Sequence, residues 1–278
     1  MTSTLARVSK IEDIEAGTAF DGLAEVYDEI FTNSLVGRAQ RDEVWRTIER
    51  IFTVDDRILE LNCGTGEDAL FMAKRGNTVF ACDASMQMIV AARQRLSKES
   101  SALPVEFCHM PIERIGGIVS EKKFDGVLSN FSGLNCVADL REVAANLSQV
   151  VRDGGKLLLC LSTRFCLAEM IYYLAQGNTR KAFRRCGGKA SAVVGGIKMP
   201  IYYPTLRQLR KYFEPYFVVK SYSGVGVAIP PSYCEGWARR HDGLFEHLRS
   251  LERKLASVPL LRVSGDHILI RFEKVAGQ

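Results

Sequence analysis

The sequence predicts a doubly wound α/β fold, with seven mostly parallel strands, helices on both faces of the sheet and an antiparallel last strand. Three observations support this prediction. Short apolar segments alternate with helical patterns over residues 57–161. A glycine-containing turn directly follows the first apolar segment. The chain has 278 residues, of which 47% are hydrophobic, so it can bury a full core.

Residues 57–83 form a predicted β-α-β unit around which the chain is organised. A buried strand at 58–61 leads into the turn 62–66, and a helix then opens on Glu67 and Asp68. Glycine in such a turn lets the backbone approach a ligand closely. The second strand ends at Asp83, and an acid at that distance from the turn suits the two hydroxyls of a ribose.

Two ligands compete for this unit. Gly64, Gly66 and Ala69 fit the dinucleotide fingerprint, although such a match alone is weak evidence. The carboxylates of Glu60, Glu67 and Asp68 would repel a pyrophosphate at the helix start. They suit a ligand that has a ribose, a positive charge and no phosphate, and S-adenosylmethionine is such a ligand.

The next elements follow the same alternation. Predicted helices cover a segment beginning at Phe20, residues 44–52, residues 86–96 after the N-cap Ser85, and a segment from the cap Asp139 through Val151, which Gly154 and Gly155 end. Strands are predicted at 105–109, 124–130 and 156–161. Because ligands lie beyond the carboxyl ends of strands in such sheets, we expect the loop 130–136 to line the site.

The regular alternation of strands and helices ends near residue 162, and the residues after it add further elements. Helical patterns cover 165–175, 205–213 and 233–256, and strands are predicted at 217–227 and 267–272. The stretch 176–200 has little pattern, which favours a lid over an inert loop. We therefore expect a flexible N-terminus at 1–19 and a single domain at 20–278. Within that domain, we expect cap helices at 20–52 and helical lid or substrate insertions at about 163–204 and 230–262.

Four segments resemble one known family. Residues 60–66 resemble motif I of class I S-adenosylmethionine-dependent methyltransferases, and residues 83–88 resemble the acidic motif that follows it. Residues 124–130 and 154–159 resemble the fourth and fifth strands of that Rossmann-like fold. The resemblance covers roughly residues 20–162 and is closest to the small-molecule branch, which includes ubiquinone-type and methyltransferase-11-like enzymes. Asn62 stands where the motif usually has its first glycine.

The resemblance implies transfer of a methyl group from S-adenosylmethionine to an O, N or C atom of a small molecule. Tyr27 and either Arg38 or Arg41 would contact the cofactor carboxylate, or else be a core tyrosine and surface arginines. Ile112 would pack on the adenine, with Glu113 as a possible substitute for the acid that relatives carry near Pro111. The implied cofactor-binding residues are Tyr27, Arg38, Glu60, Asn62, Cys63, Gly64, Thr65, Gly66, Asp68, Asp83, Ala84, Met88, Pro111, Ile112, Asn130 and Phe131.

No catalytic group is fixed by the pattern. The candidates are His109, Asn130 and Tyr203, and a structural histidine at a strand end is the alternative for His109. The leaving thioether needs no protonation, so that alignment and exclusion of water can supply much of the rate.

A basic stretch follows the fifth strand. Residues 170–213 contain nine Lys and Arg and no acid, so the remainder carries −4 of the net charge of +5. This stretch either closes over an anionic or aromatic substrate or is a solvated face. The candidate substrate residues are Tyr202, Tyr203, Tyr233, Trp237 and Arg184.

Composition narrows the class of protein. The sequence has no run of eighteen apolar residues and begins with a polar segment, which together predict a cytoplasmic protein. The eight cysteines form no C-x-x-C pair, and no zinc pattern is present, so no metal is expected. The alternatives are a nicotinamide-dependent oxidoreductase and a catalytically silent cofactor-binding regulator. A nucleic-acid enzyme is not expected, because residues 129–132 lack the Asn/Asp-Pro-Pro-aromatic loop of base-amino methyltransferases.

Overall fold

The computed structural model describes residues 17–118 and 122–277. The predicted flexible N-terminus therefore lies outside the described residues up to residue 16. Residues 17–21 form a helical turn in which Ala19 is fully buried. No helix among the described residues is long and apolar enough to cross a membrane.

Seven strands form the main sheet, in the order β3-β2-β1-β4-β5-β9-β8. The strands β1 to β5 run parallel, and β9 runs antiparallel to both of its neighbours, β5 and β8. This confirms the predicted fold class. The nine strands of the described chain are β1 (Arg57–Leu61), β2 (Thr78–Asp83), β3 (Val105–His109), β4 (Phe124–Ser129), β5 (Val151–Ser162), β6 (Lys189–Val194), β7 (Ile197–Tyr202), β8 (Phe217–Val225) and β9 (His267–Lys274).

Helices flank the sheet, and several begin at side chains that cap them, including the predicted caps Ser85 and Asp139. Ser34, Ser85 and Asp139 each accept a backbone N–H in the first turn of a helix, and Thr205 forms a capping box with Gln208. The α-helices are α1 (Leu35–Ile51), α2 (Glu67–Lys74), α3 (Met86–Ser97), α4 (Leu140–Val150), α5 (Leu167–Ala175), α6 (Thr179–Ala182), α7 (Leu206–Phe213), α8 (Glu235–Arg240) and α9 (Asp242–Leu255).

The core lies on both faces of the sheet. Along β4, Val127 packs into one apolar cluster and Leu128 into the other. Neighbouring strand residues point to opposite faces, and a parallel sheet that is covered on both faces buries both sets. This explains why the central strands read as continuous apolar segments instead of alternating ones.

The predicted boundary between the helix after Asp139 and the fifth strand is wrong, and the helix predicted at 44–52 begins earlier, at Leu35. The helix after Asp139 ends at Val150, and β5 begins at once at Val151, so Gly154 and Gly155 lie within the strand. A register shift between β4 and β5 at Phe124 and Gly126 marks an irregularity there, and Gly154 has a φ of 69°. The two glycines thus lie at a bend in a strand. From sequence alone, a glycine pair at such a bend could not be distinguished from one that ends a helix.

Two predicted helices are broken. The segment beginning at Phe20 consists of the helical turn at 17–21, a turn at 22–26 and a π-helix at Asp28–Thr32. The helix predicted at 233–256 divides at His241, whose φ of −131° and ψ of 48° are not helical. Apolar spacing survives both breaks, which is why it predicted continuous helices.

The stretch expected to have little pattern contains a β-hairpin. β6 and β7 pair in a separate two-stranded sheet, and Gly195 and Gly196 form its turn with φ values of 53° and 83°. Positive φ at both central residues is the two-residue hairpin geometry that glycine favours. The turn packs closely on the backbone of Ala19 and Gly22, so the hairpin contacts the N-terminal segment.

Candidate functional site

A cleft opens at the carboxyl ends of β1, β2 and β4, where the strand order reverses. It encloses about 730 Å³, including space continuous with solvent. The residues lining it are Gly17, Phe20, Tyr27, Asn62, Gly64, Asp83, Ala84, Met88, Ile112, Glu113, Asn130, Phe131, Gly133, Cys136 and Val137. A smaller cavity shares five of these residues and adds Arg41, Cys63, Thr65, Glu67 and Asp68.

The turn after β1 depends on left-handed backbone. Gly64 and Gly66 have φ values of 53° and 80°, and a Cβ at Gly66 would lie 2.7 Å from the Cζ of Phe107. Asn62 also adopts a positive φ of 52°, which asparagine tolerates better than most residues. Its Nδ2 donates to the Oγ of Ser129 at 2.8 Å, which ties the turn to the end of β4.

Asp83 joins the turn to the end of β2. Its Oδ2 accepts the N–H of Gly64 at 2.9 Å, and its Oδ1 accepts the N–H of Ser85 at 2.8 Å. Burial raises the pKa of Asp83, and these two backbone hydrogen bonds oppose the rise. Each carboxylate oxygen keeps a second lone pair, so Asp83 can still accept hydrogen bonds from a ligand in the cleft.

A buried ion pair supports the other side of the cleft. Arg41 contacts Asp68 at 2.6 Å, and both side chains are buried. Asp68 also accepts from the Nε1 of Trp45 at 2.6 Å and from the Nδ2 of Asn130 at 2.9 Å. Both oxygens of Asp68 are thus engaged within the protein. These contacts hold Arg41 and Asn130 in place, and Asp68 itself lines the smaller cavity.

The loop after β4 carries unusual backbone at the cleft. Phe131 and Ser132 have φ values of 47° and 69°, and Phe131 donates its N–H to the Oδ1 of Asn130 at 2.9 Å. The N–H of Ser132 reaches the carbonyl of Cys160 at 3.1 Å. Strained conformations of this kind persist where surrounding contacts fix them and cluster at ligand sites.

The acids at the helix start are paired with arginines. Glu67 contacts Arg38 at 3.1 Å and also pairs with Arg95, which in turn pairs with Asp28. Together with the Arg41–Asp68 pair, these contacts neutralise much of the negative charge that was expected to repel a phosphate. The repulsion argument against a dinucleotide is therefore weaker than the sequence suggested.

Several residues from the sequence-based set lie outside both cavities. Arg38 is half-exposed and packs over the ring of Trp45, and Pro111 precedes a 3₁₀ turn whose Ile112 and Glu113 do line the cleft. His109 is exposed, with its Nε2 2.9 Å from the carbonyl oxygen of Ala84. Two more residues of the set lie outside both cavities: Glu60 is buried on β1 beneath the turn, and Gly66 packs against the ring of Phe107.

Tyr27 lines both cavities and remains protonated. Burial raises its pKa to about 12, with Arg41 opposing the rise. Its ring lies 5.8 Å from that of Phe31, which stacks edge-on against Phe131 at 4.8 Å. The tyrosine thus offers a neutral hydroxyl at the junction of the two cavities.

The candidate substrate residues Tyr202, Tyr203, Tyr233, Trp237 and Arg184 line neither cavity. Arg184 contacts Glu169 at 2.7 Å, and the buried Arg185 pairs with both Glu169 and Asp266. Arg185 is therefore neither a solvated residue nor a free substrate ligand. The sequence did not indicate these contacts, because Glu169 lies just before the acid-free stretch and Asp266 is 81 residues from Arg185.

Five lining residues were absent from the sequence-based set: Gly17, Phe20, Gly133, Cys136 and Val137. The expectation that the loop 130–136 lines the site did point to Gly133 and Cys136. Gly133 packs against Asn62, where a Cβ would overlap the amide group. Phe20 carried only an apolar-helix signal, and Gly17 lay in the segment expected to be flexible.

Residues 58–155 match the family described as a methyltransferase domain. A putative methyltransferase, YqeM, of Bacillus subtilis is 31% identical over 154 residues, which cover 54% of this chain and 58% of that protein. The tRNA 5-carboxymethoxyuridine methyltransferase of Escherichia coli K12 is 30% identical over 50% of this chain and 54% of its own. A demethylmenaquinone methyltransferase of Clavibacter sepedonicus is 31% identical over 52% and 57%. The chain thus spans less than two thirds of these relatives' length.

Solved structures share the fold. A putative S-adenosylmethionine-dependent methyltransferase from Listeria monocytogenes has a TM-score of 0.58 at 16% identity, covering 83% of this chain and 96% of that one. The [4+2]-cyclase SpnF has a TM-score of 0.61 at 12% identity, covering 94% and 95%. The phosphoethanolamine N-methyltransferase 2 of Haemonchus contortus, in complex with phosphomonomethylethanolamine and S-adenosylhomocysteine, has a TM-score of 0.57 at 17% identity, covering 93% of this chain and 58% of that one. At these identities the likeness shows the fold alone.

Glu60 generates a pH prediction. Burial raises its pKa well above the usual value, with Asp68 adding to the rise, and its Oε2 has no hydrogen-bond partner among the described residues. The folded chain therefore holds a proton at Glu60 at pH values where the unfolded chain has lost it. The free energy of unfolding should consequently fall as pH rises through that range.

Glu60→Gln removes this dependence. Thermal melting at several pH values should show the variant equal to the parent near about pH 4.5 and progressively more stable than the parent as pH rises. Glu106→Gln, at an exposed position of β3, is the matched control and should follow the parent. A parent that gains stability over Glu60→Gln at high pH would contradict this assignment.

Proposed function

We propose that this chain, whose residues 58–155 belong to the methyltransferase domain family, transfers a methyl group from S-adenosylmethionine to a small molecule. The observation that carries the proposal is the Asp83 carboxylate, which faces the cleft while bonded to the glycine turn through Gly64. A half-buried acid beside a glycine turn at a switch point suits a ribose next to a closely approached backbone.

The residues around the cleft fit the parts of S-adenosylmethionine. Asp83 would accept from the ribose hydroxyls, and Ala84, Met88 and Ile112 offer apolar packing for the adenine. Glu113 also lines this end and could accept from the adenine amino group. The cofactor, when bound, supplies a methyl group on a sulfonium.

The methionine end fits the smaller cavity. We assign its carboxylate to Arg41 and not to Arg38, because Arg41 lines this cavity and its Nε has no hydrogen-bond partner among the described residues. The protonated Tyr27 would donate a second hydrogen bond to the same carboxylate. Glu60, beneath the turn, would be stabilised in its ionised form by a nearby ammonium.

The side chains around Asn130 and Phe131 would act by alignment. Asn130 is held by its hydrogen bond to Asp68. Phe131 is held by the hydrogen bond from its backbone N–H to Asn130 and by the ring of Phe31. A rigid aromatic wall beside the methyl group would orient the acceptor atom and exclude water. His109 lies outside both cavities, so no role in proton transfer is assigned to it. The insertions at about 163–204 and 230–262 would border the acceptor's side of the cleft.

A nucleic-acid substrate is the second candidate. The Escherichia coli relative named for tRNA is about as similar as the one named for demethylmenaquinone. Exposed Arg180 and Lys181 offer positive charge beside the fold. We favour the small molecule, because Arg185 of the basic stretch is already paired with Glu169 and Asp266 and is not available to bind phosphates.

The cysteines bear on the compartment. All eight are unpaired, which supports a reducing compartment such as the cytoplasm.

Transfer of labelled methyl groups tests the reaction. The chain, incubated with S-adenosylmethionine labelled in its methyl group and a cell extract, should move label into the small, organic-extractable fraction. Label in the RNA fraction, lost on ribonuclease treatment, would favour the second candidate. Cofactor binding with no transfer to any fraction would point to a silent regulator and contradict the proposed enzyme.

Asp83→Ala tests the cofactor site. S-adenosylhomocysteine should bind the variant about 1.5–3 kcal/mol more weakly than the parent, the range for a charge-assisted hydrogen bond. Titration calorimetry measures this, with Glu106→Ala as a control that removes an exposed carboxylate outside the cleft. Melting curves establish that Asp83→Ala remains folded after loss of its bonds to Gly64 and Ser85.

The same titration separates two ligand classes. The parent should bind S-adenosylhomocysteine at micromolar concentration and give no heat with NAD. An affinity within twofold of the parent in Asp83→Ala would remove Asp83 from the ribose site. Tight NAD binding without a response to S-adenosylhomocysteine would favour the oxidoreductase alternative.

A further inference from the structure

The helix α5 exposes apolar residues and buries its acid, which is the reverse of the pattern of an ordinary surface helix. Its apolar residues Leu167, Ile171 and Leu174 share one stripe at helical spacing, and all three are exposed, Ile171 by 60%. Its single acid, Glu169, is 1% exposed. Both the burial of Glu169 and the exposure of the apolar stripe therefore need a physical explanation.

The reason for the buried acid is a pair of ion contacts. Glu169 pairs with Arg184 at 2.7 Å and with the buried Arg185, which also contacts Asp266 at 2.9 Å. Leaving a buried charge without its partner is strongly destabilising. Rotating α5 to bury its apolar stripe would pull Glu169 away from both arginines, so the ion pairs keep the stripe facing outward.

A second exposed apolar segment lies beside the start of α5. The N–H of Leu167 donates to the carbonyl of Ser264 at 2.9 Å, which brings residues 258–263 next to the helix. In that segment Leu260 is 84% exposed. We define the apolar face as the exposed side chains of Phe165, Leu167, Ile171, Leu174, Leu260 and Val263.

The charge around the apolar face is of one sign. Arg180 and Lys181 are exposed on α6, which packs on α5, and Arg253 and Lys254 are exposed at the end of α9. Glu169 is the one acid between residues 164 and 213, and no acid lies between residues 253 and 265. The face therefore combines exposed apolar side chains with a basic border that has no exposed acid within these two segments.

We propose that the apolar face docks on the surface of an anionic phospholipid bilayer. Apolar side chains with flanking Lys and Arg are the combination that binds at the headgroup level, through buried apolar area and attraction to anionic lipid. A second copy of the chain fits less well. A two-fold interface would bring the same basic border against itself, and like charges would repel.

The β6–β7 hairpin connects the helices beside the apolar face to the N-terminal segment that lines the cleft. From α6 the chain continues into the β6–β7 hairpin, whose turn at Gly195 packs on Ala19 and Gly22. Gly17 and Phe20, in the same N-terminal segment, line the cleft. Docking does not depend on the proposed methyl transfer and is tested without it.

Vesicle sedimentation tests the proposal with the full chain. The parent should pellet with vesicles of phosphatidylcholine and phosphatidylglycerol and remain in solution with phosphatidylcholine alone. The variant Ile171→Ser/Leu174→Ser/Leu260→Ser should lose at least tenfold in its partition coefficient. The matched control, Val54→Ser/Val218→Ser, alters exposed valines elsewhere and should bind like the parent.

A charge variant tests the basic border separately. Arg180→Gln/Lys181→Gln should reduce the partition coefficient roughly 25-fold, at roughly fivefold for each residue near the surface. Its remaining binding should also respond less to added salt than that of the parent. Both variants should melt at the temperature of the parent, because none of the changed side chains is buried.

Three results would overturn the proposal. The first is a parent that stays in solution with the anionic vesicles. The second is a serine variant that binds them as tightly as the parent. The third is a parent that forms a dimer, detected by analytical ultracentrifugation and abolished in the serine variant, while failing to pellet with vesicles. That last result would assign the face to a second copy of the chain.

Discussion

The hydrogen bond between the N–H of Gly64 and the carboxylate of Asp83 is the contact on which the site depends. It joins the turn after β1 to the end of β2 at 2.9 Å, and the second oxygen of Asp83 reaches the start of α3 through Ser85. One carboxylate thus fixes three backbone segments around the cleft. The positive φ of Gly64 brings its N–H within reach of Asp83, and a residue with a Cβ would adopt that conformation less readily.

A second network holds the opposite wall. Asp68 binds Arg41, Trp45 and Asn130 at once, so the helix α1, the helix α2 and the loop after β4 meet at one buried carboxylate. Removal of Arg41 would leave Asp68 as an unpaired buried charge, and this penalty favours the arrangement in which the segments meet. Asp68 therefore positions Arg41 and Asn130 beside the smaller cavity, whereas Asp83 lines the larger cleft.

Elements that depend on residues close together in sequence were predicted well. The strand at 105–109 and the helix capped by Thr205 lie where their patterns placed them. Local patterns failed where distant contacts decide. Arg185 joins Glu169 of α5 to Asp266, which is 81 residues away in sequence, and these ion pairs hold α5 with its apolar residues facing outward. The hairpin turn at 195 and 196 contacts residues near the N-terminus, which no local signal indicates.

The same distinction applies to the candidate cofactor site. Asp83 and the glycine turn could be predicted because one β-α-β unit contains both. The choice between Arg38 and Arg41 could not, since both lie on one helix and only packing shows which of them turns inward. A crystal structure with S-adenosylhomocysteine tests the account most directly. The ribose hydroxyls should lie about 3 Å from the carboxylate oxygens of Asp83, with the adenine beside Ile112. A ligand bound elsewhere, or with its ribose turned away from Asp83, would contradict it.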